Sequence, residues 1–380
     1  MRIVDVCAFY TPHGGGVKTY VEQKLRIGPD LGHEIVILAP ADRYEVIERG
    51  PNARIVTIPS PRFPLDRNYW YFDDEDALHD ALDALAPDFV EVSSPWRSPS
   101  IVGRWKGKAP RALFMHADPL SAYAYRWFEP VFSRETIDRR FEPFWQHLRR
   151  LSGEFENVVC ASSELRDRLT EGGVPNTALI PMGIEEGVFA PENRDLALRA
   201  QLLALCDLPE TAGLLIGVGR LSAEKRWPMV IDAVTAASAD APLGLVLLGG
   251  GGQERKILKS IGGNPHIQLL KPERNRARFA AILASADALV HGCEAETFCL
   301  SAAEARASGV PVIVPDRGGA ADHAADGAGI AYAATDPEAL ARAILDMAGR
   351  GWPRTAGAVQ TMRGHFEQLF AHYAGLATRD

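Results

Sequence analysis

Short apolar runs alternate with helix-period segments from one end of the chain to the other. "RIVDVCAFY" leads into "GGGVKTYVEQKLRIGPDLG" and then "HEIVILAP", and "FVEVS", "RALFMHAD" and "VVCASS" follow. Apolar strands separated by helical segments predict a parallel sheet with helices packed on it. The helix before "HEIVILAP" stops at Gly32, a residue suited to closing a helix. The rhythm fades over the Pro- and Gly-marked "ALIPMGIEEGVFAPEN" and then restarts. Helical "RDLALRAQLLALCDL" precedes the strand "GLLIGVGR", the helix "WPMVIDAVTAASADAP", and the strands "LGLVLLGGGG", "IQLL", "ADALVHG" and "VPVIVP".

The restart places a boundary near residue 183. The expected organisation is one α/β domain over 1–183, a second over 184–360, and a helical segment over 361–380 that carries Phe366, Phe370 and Tyr373. A single core rarely serves more than roughly 250–300 residues, so 380 residues also argue for two. In open α/β sheets ligands sit beyond the carboxyl ends of the strands. A site is therefore expected in the cleft between the domains, built from residues that directly follow strands.

Hydrophobic residues at 47% and charged residues at 24% are ordinary for a globular chain. The net charge of −8 argues against nucleic acid as a partner, because phosphate binding wants a basic face. Five cysteines, Cys7, Cys160, Cys206, Cys293 and Cys299, are scattered and form no CxxC pair. They fit a reducing compartment and give no zinc or disulfide framework. "MRIVDVCAFY" reads as a strand and not as a secretion signal, and no run approaches the roughly 20 apolar residues of a membrane span. The expectation is a cytoplasmic protein.

One charge asymmetry changes the picture. Residues 97–150 hold eleven Lys and Arg against five Asp and Glu, a surplus of six positive charges in an acidic chain. The excess fits a solvated helical face or a surface that meets anionic lipid or an anionic acceptor. Within it, "SRETIDRRFEPFWQHLRRL" mixes Phe141, Phe144, Trp145 and Leu148 with arginines, as peripheral contact with the inner face of a membrane requires. The same residues packing inward would serve the domain's own core.

Several strand ends carry candidate chemistry. Gly14, Gly15 and Gly16 open a helix after the first strand, where backbone N–H groups can approach an anion; a plain tight turn has the same composition. The stretch is not GxGxxG, and the second strand ends "LAP" without the acid a dinucleotide site uses. In "GVGRLSAEKRW", Arg220 and Lys225 bracket a turn and could face a diphosphate, or Glu224 could pair one of them as surface charge. Gly249 to Gly252 form another strand–helix junction, a flexible loop or a phosphate contact. His116 and Asp118 follow a strand in "RALFMHADPL". In "EAETFCLSAAEARASG", Thr297, Phe298 and Cys299 sit where a helix begins and free N–H groups favour an anion. Glu296 precedes that turn and Glu304 lies one to two turns inside. On one rigid helix start they share a face of a ligand and do not straddle a bond as glycosidase acids do, so accepting from hydroxyl groups is their better role.

Taken together, these residues resemble the retaining glycosyltransferases of family 4, over nearly the whole chain and most clearly in its second half. The E-x7-E signature matches as Glu296 and Glu304. "GRL…EK" matches as Gly219, Arg220, Leu221, Glu224 and Lys225. "GGGV" matches the first glycine loop, "DRGGAADHAADG" the "GG…DG" stretch, and His116 the first-domain histidine. The resemblance implies the GT-B fold: two Rossmann-like domains, with parallel sheets facing across a cleft and the segment 361–380 packing back on the first. It implies a nucleotide-diphosphate sugar, UDP- or GDP-linked, as donor substrate, no cofactor and no metal. Arg220 and Lys225 would hold the diphosphate, with backbone N–H groups of Phe298, Cys299 and Leu300 beside them and Gly219 in the same turn. Glu304 would accept from the ribose and Glu296 from the donor sugar. His116 would bond the sugar near its reacting end, and Gly15 and Gly16 would pack against the donor.

A saccharide or lipid acceptor would bind the first domain, near Asp118 and the aromatic "RFPLDRNYWYF" with Tyr69 and Trp70. A DxD metal motif after a strand is absent, and "FDDED" looks like a helix start. The chain departs from the family at Cys299, where glycine is common, and at Asp322, one methylene shorter than the usual glutamate. A non-catalytic sugar-nucleotide-binding protein and a GT-B epimerase remain alternatives. A phosphorylase would need a pyridoxal-phosphate lysine in a much longer chain.

Overall fold

The computed structural model describes residues 1–380 except 9, 11–15, 64–68, 94–96, 130, 355–358, 379–380 and the side chain of Asp326. The chain divides into two compact units, Met1–Met182 with Met362–Asp380, and Gly183–Thr361.

The first unit is an eight-stranded sheet. Its strands are β1 (Arg2–Cys7), β2 (Glu34–Ala41), β3 (Glu45–Gly50), β4 (Ala53–Pro59), β5 (Phe89–Ser93), β6 (Arg111–Phe114), β7 (Asn157–Cys160) and β8 (Thr177–Leu179). They lie in the order β3-β4-β2-β1-β5-β6-β7-β8. All neighbours are parallel except β3 and β4. β1, β2 and β5 are almost wholly buried, as continuous Val/Ile runs covered on both faces should be. β3 is the exception to the parallel pattern. Its "EVIERG" is exposed, and charge on an edge strand keeps it from pairing with other chains. "FDDED" is a helix start: Asp74 caps the helix Glu75–Leu85 by accepting from the Ala77 N–H at 3.0 Å.

An ionic cluster sits at the centre of this unit. Lys24, on the helix Gly16–Asp30, reaches Asp5 of β1 at 3.0 Å and Glu91 of β5 at 2.6 Å, and all three side chains are fully buried. Ser93 donates to Asp5 and Tyr373 to Glu91, each at 2.8 Å. Burial pushes Glu91 up to about 7, against the pull of Lys24. Tyr373 belongs to the helix Met362–Ala377, which is thereby part of the first unit; its ring stacks on Phe89 at 4.1 Å.

Of the two readings of the basic stretch, inward packing is the one its helix follows. Trp145 and Leu148, on the helix Glu142–Ser152, are buried, and Phe141 and Phe144 pack against the same core. That helix spends its apolar face on its own unit, so these four residues are not a membrane-facing set. The exposed apolar side chains lie just before them: Tyr123, Trp127, Phe128, Val131 and Phe132, the last four 59%, 39%, 75% and 49% exposed. Among the described residues, no helix is long and apolar enough to cross a membrane.

The second unit is a fully parallel six-stranded sheet. Its strands are β9 (Gly213–Val218), β10 (Leu243–Leu248), β11 (Ile267–Leu270), β12 (Ala288–Val290), β13 (Val312–Pro315) and β14 (Gly329–Tyr332), ordered β11-β10-β9-β12-β13-β14. The chain builds outward from β9 to β11 and then returns to lay β12 on the other side of β9. Strand order reverses there, and in such sheets ligands bind beyond the strand ends at the reversal. The segments 219–226 and 291–299 are the loops leaving β9 and β12.

Candidate active site

The loop after β9 is held by backbone bonds to the glycine junction after β10. The Gly219 N–H donates to the Leu248 carbonyl at 3.1 Å, and the Leu221 N–H to the Gly250 carbonyl at 3.0 Å. A Cβ at Gly249 would collide with the Gly219 carbonyl, so this glycine is required by close packing. Trp227 Nε1 donates to the Arg220 carbonyl at 2.9 Å and fixes the turn from below. Arg220 is left 67% exposed, with one bond to Glu224 at 3.1 Å. The surface pairing of Arg220 with Glu224 is therefore real, yet it leaves most of the guanidinium open to solvent.

Lys225 has a different fate. Its ammonium is 13% exposed and ion-paired with Glu296, from the loop after β12. Burial opposes the charge on Lys225, but Glu296 outweighs it and holds the ammonium above its ordinary pKa. Burial likewise works against the Glu296 carboxylate, while Lys225 and His291 Nε2 at 3.2 Å hold it well below the usual range. Arg226 and Glu294 make a second bridge between the two loops, with Nε to Oε2 at 2.7 Å. Two ion pairs thus lock the loops of adjacent strands together.

The helix Leu300–Ala307 begins at Cys299, which stands at φ 70°; its thiol makes no capping bond to the helix backbone but lies 3.6 Å from the Ser301 hydroxyl. The resemblance put glycine at this place, and the left-handed backbone gives the physical reason glycine suits it. The preceding turn is clamped from the "GG…DG" stretch. Gly319 N–H donates to the Glu296 carbonyl at 2.6 Å, and a Cβ at Gly319 would collide with Phe298 N. His323 Nε2 lies 2.7 Å from the Phe298 carbonyl, and burial pushes its pKa down to about 4. Asp322 lies on the same 3-10 turn, Ala321–Gly327.

Glu304 is buried on that helix and accepts from Arg276 at 2.9 Å. Burial pushes Glu304 up to about 7, against the pull of Arg276. Arg276 also reaches Glu185 at 3.1 Å and lies over the Phe189 ring at 4.9 Å. The two signature acids therefore have separate cationic partners, Lys225 for Glu296 and Arg276 for Glu304.

Sequence reasoning missed Arg276, Arg226, Glu294, His291 and His323. Arg276 opens a helix behind its Asn275 cap, and nothing in its neighbourhood distinguishes it from a surface arginine. "VHGCEAE" did place His291 and Glu294 directly after a strand, which was the available signal.

In the first unit, Gly15 lies outside the described residues and Gly16 is the first residue of its helix. The His116 ring stacks on Phe114 at 4.2 Å and meets the Tyr20 edge at 4.6 Å. Burial, with Lys24 and His365 adding to it, pushes His116 down to about 3, so the imidazole is neutral. Asp118 accepts from the Leu120 N–H at 3.1 Å and pairs with Arg168, so its carboxylate is engaged by its own fold. Tyr69 O accepts from the Phe63 N–H at 2.8 Å, and Arg62 covers the Trp70 ring at 4.0 Å.

Two family profiles match this chain. One, described as glycosyl transferase 4-like domain, covers residues 15–183, and the other, glycosyl transferases group 1, covers residues 206–349. Among solved structures, sucrose-phosphate synthase from Thermosynechococcus elongatus superposes with a TM-score of 0.73 at 20% identity, covering 99% of this chain and 96% of that one. The catalytic domain of starch synthase IV from Arabidopsis thaliana, bound to ADP and acarbose, superposes with a TM-score of 0.69 at 16% identity, covering 100% and 99%. Two parallel-sheet domains with these neighbours define the GT-B fold. The chain belongs to glycosyltransferase family 4. It is 28% identical over 355 residues to a GDP-mannose-dependent alpha-(1-6)-phosphatidylinositol dimannoside mannosyltransferase of Mycobacterium tuberculosis, covering 92% of this chain and 88% of that protein. A GDP-mannose-dependent alpha-mannosyltransferase of Mycolicibacterium smegmatis is 28% identical over 330 residues, covering 85% and 81%.

Proposed function

We propose that this glycosyltransferase moves mannose from GDP-mannose to a glycolipid or saccharide acceptor, with retention of anomeric configuration and without a metal ion. The observation that carries the reading is the Lys225–Glu296 pair, set beside the exposed Arg220 and the start of the helix Leu300–Ala307. GDP-mannose is favoured because relatives that align over 85–92% of the chain are named as dependent on it.

In this reading Arg220 and Lys225 hold the diphosphate and stabilise the charge that grows on it as the bond to the sugar breaks. Such preorganised electrostatics are usually the largest catalytic term. Backbone N–H groups of Phe298, Cys299 and Leu300 add to it, and Gly16, Gly15 and Gly219 let backbone approach the donor. Glu296 accepts from sugar hydroxyls as Lys225 turns to phosphate, and Glu304 accepts from the ribose. Neutral His116 bonds the sugar near its reacting carbon. The acceptor oxygen attacks the face from which the diphosphate leaves, and its proton passes to the departing phosphate oxygen. Tyr69 and Trp70 supply an aromatic acceptor surface, whereas Asp118, held by Arg168, serves the fold.

A lipid acceptor would be met at a membrane surface. Tyr123, Trp127, Phe128, Val131 and Phe132, together with the exposed Arg139 and Arg140, combine apolar anchors with positive charge. A panel of nucleotide sugars, scored by nucleoside diphosphate release with a mannosylated lipid present, tests the proposal. Release from GDP-mannose above all others is expected. Release equal with and without acceptor would favour epimerase-like or hydrolytic chemistry instead.

A further inference from the structure

The loop after β12 gathers an unusual set of side chains. His291, Glu296 and Cys299 each present a donor atom, and all these atoms lie within 4.8 Å of one another. Cys293, two residues beyond His291, is buried as well. Buried cysteines by themselves are ordinary core residues. The imidazole is what sets this cluster apart. His291 is 1% exposed, and neither ring nitrogen makes a well-formed hydrogen bond, although Nε2 stands 3.2 Å from Glu296. Buried polar atoms are normally satisfied, so a buried ring set between a thiol and a carboxylate without satisfying geometry calls for an explanation.

We propose that His291, Glu296 and Cys299 form a binding site for a thiophilic divalent cation, Zn²⁺ by preference, whose occupancy switches transfer off by drawing Glu296 away from Lys225. One thiolate, one imidazole and one carboxylate fill three of zinc's four tetrahedral positions and leave the fourth to water. Bonds of about 2.0–2.3 Å put the donors roughly 3.3–3.8 Å apart, so atoms already within 4.8 Å of one another need only a small inward shift. The hard Mg²⁺ prefers oxygen ligands and an octahedral shell, so it fits this set poorly. Binding releases the Cys299 thiol proton to solvent and replaces the Lys225 ammonium as the partner of Glu296. The donor would then meet a Lys225 that is repelled from its place and a Glu296 no longer free for sugar hydroxyls. The metal is thus an inhibitor and no participant in the reaction. Cys299 is essential to the set and stands in a left-handed position better suited to glycine, so the chain accepts backbone strain to keep a thiol there.

The test uses the full chain, freed of metal by dialysis against EDTA. Zn²⁺ is titrated in competition with a chromophoric chelator, and Co²⁺ binding is followed through its thiolate charge-transfer absorption. One equivalent of Zn²⁺ at micromolar or tighter affinity is expected, weakened at least tenfold in Cys299→Gly. That variant suits the local backbone, so loss of binding there is not loss of fold. One equivalent of Zn²⁺ should lower transfer by the parent at least tenfold, reversibly with EDTA, and leave the rate of Cys299→Gly unchanged from its own metal-free value. No binding at micromolar Zn²⁺, or equal binding by Cys299→Gly, overturns the site. Stoichiometric binding with unaltered transfer overturns the switch. The binding arm needs no sugar substrate, so its failure is separable from a wrong donor or acceptor.

Discussion

Replacing Lys225 by alanine separates the two uses of the Lys225–Glu296 pair. The ammonium is 13% exposed and Glu296 is 22% exposed, so the change leaves a mostly buried carboxylate with His291 as its remaining neighbour. Removing one partner of a buried pair costs about 3–5 kcal/mol of stability. The same change removes a cation from the departing diphosphate. Loss of one such stabiliser lowers turnover by about 10²–10³, or roughly 3 kcal/mol of barrier. Urea unfolding measures the first effect, and initial rates of nucleoside diphosphate release, normalised to folded protein, measure the second. Adding Glu296→Gln removes the stranded charge, so the double variant should regain most of the stability and none of the transfer. Turnover of the single variant within tenfold of the parent would refute the catalytic role. Unchanged unfolding would refute the energetic one.

Other outcomes follow from the same geometry. Arg220→Ala should cost at most about 1 kcal/mol of stability, because its pair with Glu224 is exposed, yet should lower transfer a hundredfold or more; stability loss without rate loss would reverse the assignment. Glu304 titrates near 7 when folded and near the ordinary 4.5 when unfolded, so its favourable contribution is complete below about pH 4.5 and is lost as pH rises through about 7. Glu304→Gln should therefore unfold later than the parent at pH 8, by on the order of 2 kcal/mol, and alike at pH 4, with the opposite order in urea unfolding counting against the argument. Transfer should persist in EDTA, and abolition reversed by Mg²⁺ or Mn²⁺ would disprove metal independence. The chain should sediment with anionic but not neutral liposomes at low salt, and Trp127→Ser should weaken that binding at least tenfold, since burying such a ring contributes about 2 kcal/mol; equal, negligible binding to both would leave a soluble saccharide as acceptor.

Much of the second unit was legible because its strands are continuous apolar runs ended by glycine or a charged turn. "IQLL" and "VPVIVP" are β11 and β13, and the family signature falls on the two loops at the reversal of strand order. β3 was not legible, since an exposed, charged edge strand carries neither an apolar run nor a clean alternation. β14 was hidden inside a glycine-rich stretch that reads as loop. At the site, side chains sequence-adjacent to a strand end were found, and partners arriving from elsewhere were not. Lys225 and Glu296 could both be nominated, but their pairing required β9 and β12 to be neighbours. Arg276 was invisible because only the packing of its helix beside Leu300–Ala307 brings it to Glu304. The basic stretch stayed open between two readings for a related reason: composition reports the mixture of aromatics and arginines but not which of them the docked helix turns inward.

The helix Met362–Ala377 closes the first unit although the whole second unit, Gly183–Thr361, precedes it in the chain. Translation therefore delivers the sheet β1–β8 long before it delivers Tyr373. At about 5–20 residues per second, the interval is roughly ten to forty seconds. Until then Glu91 lacks its phenolic donor and Phe89 its stacking partner, while Asp5 and Lys24 are already in place. The nascent first unit is thus an incomplete globule waiting for its lid of helix, with a half-satisfied ionic centre that favours water over premature closure. The second unit, contiguous in sequence, has no such wait and can complete its sheet first. Synthesis order and folding order are in this way uncoupled, and a helix made after the whole second unit acts as the keystone of the first.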